Sequence, residues 1–143
     1  MRYMNDISKL LNMAHSGTRT LVFQAKPSKE ELSAINWLYQ TAGGDITFLA
    51  ESTVEGTKNP DLLWNGLVMD IKHTKGTINT LKSHINKAMK QTNKGGVLID
   101  VTGTEIENSK LIETCIYKLA DTKGTCLILI RNQELVAYIY KEV

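Results

Sequence analysis

The hydrophobic pattern of the chain predicts an alternation of helices and strands. Apolar residues three and four positions apart predict helices over residues 5–15, 28–42, 77–92 and 107–122. Shorter apolar or alternating runs predict strands over residues 20–25, 45–51, 62–64, 67–72, 95–101, 126–130 and 135–141. The resulting order, α–β–α–β–β–β–α–β–α–β–β, predicts an α/β fold in which helices flank a central mixed β-sheet.

Capping residues support two of the predicted helix starts. Ser28, with Glu31 three residues later, has the pattern of a capping box, and Thr77 is the predicted N-cap of the third helix. Neither an internal repeat nor a long linker interrupts the pattern, so we expect a single domain over residues 1–143. In this prediction residues 1–42 form a helical preface and residues 43–143 form the core.

The composition is that of a globular protein, with 42% hydrophobic and 22% charged residues. No apolar run approaches the roughly 20 residues that a membrane helix needs, so we expect no membrane partner. The first residues lack the apolar segment of a secretory signal. If the protein leaves its cell, we expect it to travel as part of something larger.

Cys115 and Cys126 lie in apolar runs and are predicted to be buried, reduced thiols.

The net charge is only +2, but the charges are unevenly distributed. From Ile71 to Ile99 there is no acidic residue. The basic residues of this stretch are Lys72, His73, Lys75, Lys82, His84, Lys87, Lys90 and Lys94. This distribution predicts a positive face that suits an anionic polymer. The alternative is an ordinary solvated helix face.

The segment PDLLWNGLVMDIK, residues 60–72, carries the strongest local signal. Asn65-Gly66 predicts a two-residue type I′ turn, which fixes the register of a hairpin. Counting outward from the turn places Asp61 opposite Asp70, and alternation puts Lys72 on the same face as both acids. The opposite face carries Leu62, Trp64, Leu67, Met69 and Ile71.

Two aspartates placed opposite each other indicate a cation site. In a non-hydrogen-bonded pair the Cα atoms approach to about 4.5 Å. Two partly buried carboxylates at this spacing either share a proton or bind a cation, and hard oxygen ligands suit magnesium, manganese or calcium. A lysine beside them can stabilise a phosphate or orient an attacking water. The alternative is an exposed hairpin whose polar face stays wet, with Asp70 and Lys72 weakly paired.

These residues resemble the motif of the PD-(D/E)XK nuclease superfamily. Pro60-Asp61 is followed nine residues later by Asp70-Ile71-Lys72, where Asp70 replaces the more frequent glutamate. The wider pattern from Gly43 to Val101 resembles the C-terminal toxin domains of contact-dependent growth inhibition and related polymorphic toxins. The resemblance implies a restriction-endonuclease-like core with an N-terminal helical extension.

The resemblance also assigns roles to individual residues. Asp61 and Asp70 would be metal ligands and Lys72 the catalytic lysine. Glu51 would be an additional acidic ligand, a position that the nearby Glu55 can also fill. Gln91 matches a polar position that such nucleases direct at the site. The implied cofactor is a divalent metal, Mg²⁺ first, with Mn²⁺ or Zn²⁺ as alternatives.

A nuclease of this kind needs a basic track for its substrate. The expected nucleic-acid-binding residues are His73, Lys75, Lys82, Lys87, Lys90 and Gln91. His73 and His84 are alternative acid–base groups. With only 6% aromatic residues the chain lacks an obvious stacking platform, which favours a structured substrate held by its backbone.

The resemblance implies a tRNA-cleaving toxin that acts in the bacterial cytoplasm, delivered from another cell as part of a larger secreted protein. Its partners would be nucleic acid, with tRNA favoured over DNA, and a cognate immunity protein. Three alternatives stay open at this point: a DNA endonuclease of the same fold, a non-catalytic nucleic-acid-binding module of a mobile element or phage, and a structural domain that binds no metal.

Overall fold

The computed structural model describes residues 2–4, 19–52, 54 and 59–141. The strands are β1 (Arg2–Met4), β2 (Arg19–Phe23), β3 (Gly44–Phe48), β4 (Leu62–Trp64), β5 (Leu67–His73), β6 (Gly96–Asp100), β7 (Cys126–Arg131) and β8 (Glu134–Tyr140). The helices within the described ranges are α1 (Lys29–Thr41), α2 (Ile78–Thr92) and α3 (Asn108–Ala120). None of these helices is long and apolar enough to cross a membrane.

The strands form one mixed sheet in the order β1-β8-β7-β6-β5-β4-β3-β2. Strands β5, β6 and β7 run parallel to one another in the centre. The hairpin of β4 and β5 and the hairpin of β7 and β8 add antiparallel neighbours on either side. The predicted α/β class, with a mixed sheet flanked by helices, is therefore confirmed.

Helices cover both faces of the sheet and bury two separate apolar clusters. Helix α1 contributes Ala34, Ile35, Trp37 and Leu38 to a cluster that includes Ile46, Leu62, Trp64, Met69 and Ile71. Helices α2 and α3 form the second cluster, in which Leu81, Ile85 and Leu111 pack with Val97 and Ile99. Each helix is held by an apolar stripe that its sequence spacing predicted.

The predicted caps are present, and one strand was not predicted. Ser28 and Glu31 exchange both hydrogen bonds of a capping box, and Thr77 caps α2. Both cysteines are free and buried, as the sequence predicted. Strand β1 was missed, because its three residues carry no apolar alternation and its position depends on pairing with β8. The predicted helix over residues 5–15 lies outside the described residues.

The hairpin has the register that its turn predicts over three residue pairs, and the predicted pair of Asp61 with Asp70 lies beyond this ladder, where the Asp61 N–H donates to the Met69 carbonyl. Leu62 pairs with Met69 and Trp64 with Leu67. Asn65 and Gly66 have φ of 50° and 82°, the left-handed values of a type I′ turn. The predicted apolar face packs against α1 in the core. The hairpin is therefore part of the central sheet and not a surface flap.

Asn65 is expected to stabilise this hairpin through both its backbone and its side chain. Its Oδ1 accepts a hydrogen bond from the Asp45 N–H at 2.8 Å, which ties the turn to β3. Replacing Asn65 with alanine should lower the free energy of unfolding by about 1–2 kcal/mol, since it removes that bond and places a residue that tolerates it poorly in the left-handed region. Urea titration measures the change.

The glycine variant separates the two contributions. Asn65→Gly keeps the backbone conformation and loses the hydrogen bond, so it should be more stable than Asn65→Ala. Equal stability of the two variants would show that the left-handed backbone conformation at residue 65 does not affect the free energy of unfolding.

Candidate functional site

The two aspartates lie on the sheet face that α2 and α3 cover. Asp70 is on β5, in register with Val97 of β6, which belongs to the α2–α3 cluster. Only 3% of Asp70 is exposed. Asp61 directly precedes β4, and its N–H donates to the Met69 carbonyl at 3.1 Å. Asp61 Oδ2 accepts a hydrogen bond from the Ile71 N–H at 2.7 Å, which fixes its carboxyl beside Asp70.

The two carboxyl groups interact directly. The pKa of Asp61 is raised to about 8, first by burial, then by a hydrogen bond with Asp70 and by the negative charge of that residue. The Ile71 N–H opposes the rise. Such a shift means that Asp61 holds a proton at neutral pH when no cation is bound. The repulsion between Asp61 and Asp70 that the hairpin predicts is therefore present in the fold.

Lys72 completes a compact cluster with the two acids. Its Nζ lies 3.1 Å from Asp70 Oδ2, and a quarter of its side chain is exposed. Asp70 Oδ2 is itself buried, and among the described residues it has no partner in hydrogen-bond geometry. Lys72 therefore balances the charge of the Asp70 carboxylate, but Oδ2 still accepts no hydrogen bond from the described residues. A buried carboxylate oxygen that lacks a donor is suited to a cation.

A cavity of about 210 Å³ opens beside this cluster. It lies at the carboxyl ends of the parallel strands β5 and β6, between the start of α1 and the middle of α2. Its lining comprises Ser28, Glu30, Glu31, Ala34, Ile71, Lys72, His73, His84 and Asp100. Lys72 belongs to both the acid cluster and the cavity, so the two features form one site.

Two histidines reach the cavity from opposite faces of the sheet. His84 of α2 bonds through Nδ1 to the Thr74 hydroxyl at 2.7 Å. Burial, followed by the positive charges of Lys72 and Lys87, lowers the pKa of His84. The ring is therefore neutral at neutral pH.

His73 lies between two acids, and it does not join the exposed lysines of α2. Its Nδ1 is 4.0 Å from Glu30 Oε2 and 3.9 Å from Asp100 Oδ2. Asp100 is held by the N–H and the hydroxyl of Thr102 at 2.8 and 2.6 Å. Sequence reasoning did not select Asp100, although its place at the end of the buried strand GGVLID is a signal that could have found it.

The other predicted site residues have different surroundings. Glu51 is exposed and does not join Asp61 and Asp70 in a cluster: within the described ranges, no group of three or more histidine, cysteine, aspartate or glutamate side chains is arranged to hold a metal. Glu55 lies outside those ranges. The Gln91 Oε1 accepts a hydrogen bond from the Asn59 N–H at 2.8 Å, so it anchors the loop that leads into the hairpin.

The predicted basic track is formed in part. Lys87 and Lys90 are exposed on α2, and Lys82 is half-buried. Lys75 contacts Glu30 at 3.1 Å, so part of its charge is already balanced. Lys90 and Lys94 also line a second, separate cavity of about 390 Å³ together with Lys123. The positive surface of α2 therefore extends away from the acid cluster toward residue 94.

The acid cluster fits a hard divalent cation of the magnesium type. Mg²⁺ is commonly bound by one or two carboxylates together with substrate phosphates, and Asp61 and Asp70 supply two such groups. The buried Asp70 Oδ2, which accepts no hydrogen bond from the described residues, is an atom that such an ion would satisfy. A zinc site fits poorly, because zinc takes three or four nitrogen, sulfur or acidic ligands and the described residues offer no such group.

Comparison with solved structures finds a chain of similar fold. The chain is similar to a chain of the CdiA-CT/CdiI toxin and immunity complex from Burkholderia pseudomallei, with a TM-score of 0.53 and 18% sequence identity. The match covers 88% of this chain and 98% of that chain. No protein-family model and no curated protein sequence matches the chain. At this identity the likeness shows that the two chains share a fold.

Proposed function

We propose that the protein is a metal-dependent endonuclease of the PD-(D/E)XK type and the toxin domain of an interbacterial competition system. The observation that carries the proposal is the cluster of Asp61, Asp70 and Lys72, whose lysine also lines a cavity. The structurally similar chain, which belongs to a toxin and immunity complex, supports the toxin assignment.

The proposed mechanism assigns a separate task to each residue of the cluster. Asp61 and Asp70 would hold Mg²⁺ or Mn²⁺ through their carboxylate oxygens. When bound, such an ion polarises the phosphoryl oxygen and favours ionisation of a water. Lys72 faces the cavity with its positive charge and would stabilise the negative charge that develops on the phosphate in the transition state.

We propose tRNA as the substrate, in preference to DNA. Exposed Lys87 and Lys90 can contact successive phosphates without reading bases, which suits a folded RNA recognised by its shape. A toxin that cleaves tRNA would act in the bacterial cytoplasm after delivery from another cell. Its producer would need an immunity protein, and the neighbour's place in a toxin and immunity complex supports such a partner.

Cleavage assays with two substrates test the proposal. Purified protein is incubated with total tRNA and with supercoiled plasmid, each with Mg²⁺ and with EDTA. We expect discrete shortened tRNA products with Mg²⁺, and intact tRNA with EDTA. Nicked plasmid beside intact tRNA would make the protein a DNA endonuclease. Tight, salt-sensitive binding without cleavage of either substrate would indicate a non-catalytic binding module.

The lysines of α2 should set the salt dependence of tRNA binding. In the double variant Lys87→Ala, Lys90→Ala the slope of log K against log salt should become shallower by about one for each phosphate that is no longer neutralised. Filter binding across a salt series measures the slope. Lys110→Ala, which removes an exposed lysine from α3, is the matched control and should leave the slope unchanged. A wild-type slope in the double variant would show that Lys87 and Lys90 do not contact the phosphates of the tRNA.

A further inference from the structure

We infer that His84 is the general base of the cleavage reaction and that Thr74 positions its ring. This inference rests on the proposed nuclease function and adds a catalytic residue to it. In the sequence, His84 and His73 were equivalent candidates for acid–base roles. The surroundings of the two rings in the fold now distinguish them.

His84 is the histidine on the same face of the sheet as the acid cluster. It comes from α2, which covers the face of the sheet that bears Asp70 and Lys72. Lys72 is close enough to influence its ionisation. His73, by alternation along β5, belongs to the opposite face, and its Nδ1 is directed at Glu30 and Asp100.

Thr74 holds the His84 ring in one orientation. Thr74 is fully buried, and its N–H donates to the Asp100 carbonyl at 2.9 Å, so the hydroxyl has a fixed position. The general-base role requires the tautomer in which Nδ1–H donates to this hydroxyl, because the lone pair of the ring then lies on Nε2, on the other side of the imidazole. His84 lines the cavity, so Nε2 is the nitrogen available to a molecule inside it.

Lys72 is less suited to the same task. Its Nζ contacts Asp70 Oδ2 at 3.1 Å, so its ammonium balances a buried carboxylate. An ammonium group has no lone pair with which to accept a proton. His84 instead bonds to a neutral hydroxyl, and its lowered pKa keeps it unprotonated at neutral pH. Charge stabilisation by Lys72 and proton acceptance by His84 are therefore separable roles.

The cavity has a size that suits this reaction. At about 210 Å³ it is smaller than the 300–1,000 Å³ of typical small-molecule sites, yet it can hold a phosphodiester group with its water. The attacking water gives a proton to Nε2 as its oxygen bonds to phosphorus. The bond from phosphorus to the leaving oxygen breaks, and the imidazolium then returns its proton to that oxygen.

Charged groups near the ring come from four elements and define the pH dependence. They are Lys72 of β5 with its partner Asp70, Lys87 of α2, Asp100 of β6 and, across the cavity, His73 of β5 with Glu30 and Glu31 of α1. The positive charges of the two lysines lower the pKa of His84. Activity should therefore fall on the acidic side, as His84 takes up a proton before catalysis can begin.

The pH profile of tRNA cleavage tests the inference. In wild-type protein with saturating Mg²⁺, which keeps Asp61 ionised, log kcat should rise with pH through the titration of His84 and then level off. His84→Gln should lower kcat at least 100-fold and remove this limb, with KM little changed. Ser83→Ala, on the same helix, is the matched control and should keep the wild-type profile. Circular dichroism confirms that each variant is folded.

Two further variants keep the test decisive if His84→Gln is unstable. His84→Ala should regain part of its activity when imidazole is added, because the free base can occupy the space of the ring. Thr74→Val should lower kcat about tenfold, while Thr74→Ser, which keeps the hydroxyl, should retain it.

The outcomes separate this inference from the proposed function. If the wild type cleaves and His84→Gln keeps its rate and acidic limb, the general-base role is wrong while the nuclease proposal stands. If the wild type cleaves neither tRNA nor plasmid, both are wrong.

Discussion

Replacing Asp70 with asparagine is expected to lower the rate of phosphodiester cleavage about a thousand-fold, which corresponds to about 4 kcal/mol of transition-state stabilisation. Asparagine has the shape of aspartate, so the packing of this 3%-exposed residue should survive. The substitution removes the negative charge that would hold the cation and balance Lys72. Single-turnover cleavage of tRNA with saturating Mg²⁺ measures the rate.

The growth of expressing cells gives an independent measurement of the same change. Expression of the wild-type chain should stop growth, and expression of Asp70→Asn should not. Asp121→Asn is the matched control, because Asp121 is an exposed acid that only approaches Lys118 at 4.0 Å. It should behave as the wild type does. Cleavage by Asp70→Asn at the wild-type rate would exclude the acid cluster as the active site.

The same aspartates should make the metal-free protein less stable as pH rises. The pKa of Asp61 is about 8 in the fold, against an ordinary value of 3.8. Between about pH 4 and pH 8 the folded state therefore holds a proton that the unfolded state has released. The folded state binds more protons in this window, so the free energy of unfolding falls with rising pH and levels off above pH 8. Because Asp61 is only half-buried, we expect a total fall on the order of 2 kcal/mol.

Comparison with Asp70→Asn isolates this contribution. The asparagine removes the like charge but leaves the burial of Asp61, which is the larger cause of its raised pKa. The variant should therefore show a shallower fall, and above pH 7 without metal it should be more stable than the wild type. Urea unfolding in EDTA from about pH 4.5 to about pH 8.5 measures both proteins. If the free energy of unfolding depends on pH in the same way in both proteins, the two carboxyl groups do not interact.

Added Mg²⁺ should make the wild type more stable than Asp70→Asn, which reverses the order expected without metal. A cation bound by the folded state stabilises it by about 2.7 kcal/mol at a hundred times its dissociation constant. We expect this gain in the wild type at pH 8 and none in Asp70→Asn. Two neighbouring acids destabilise the metal-free protein, and a bound cation would restore its stability. Such local destabilisation is common at functional sites. Equal stabilisation of both proteins would place the cation elsewhere.

Much of the site could be predicted because it is built from local rules. The two-residue turn at Asn65-Gly66 determines the pairing of its own strands, and alternation then assigns Asp61, Asp70 and Lys72 to one face. None of these steps needs information from distant parts of the chain. The helix caps at Ser28 and Thr77 are local for the same reason, since each satisfies N–H groups within one turn.

The remainder of the site depends on contacts between distant segments. Asp100 meets His73 because β6 lies parallel to β5 in the sheet, and Glu30 arrives there on α1. His84 is brought over Lys72 by the burial of Leu81 and Ile85 against β6. No spacing in the sequence encodes these distances, since they follow from which strands become neighbours.

The amino-acid sequence by itself determined the hairpin, its two opposed acids, the class of fold and the apolar stripes of its helices, because all of these are set by neighbours along the chain. Only the tertiary structure decided that a cavity opens beside Lys72, that His84 lines this cavity and bonds to Thr74, and that β1 pairs with the last strand. These features arise from the packing of helices on a sheet, where the burial of apolar surface outweighs local preference.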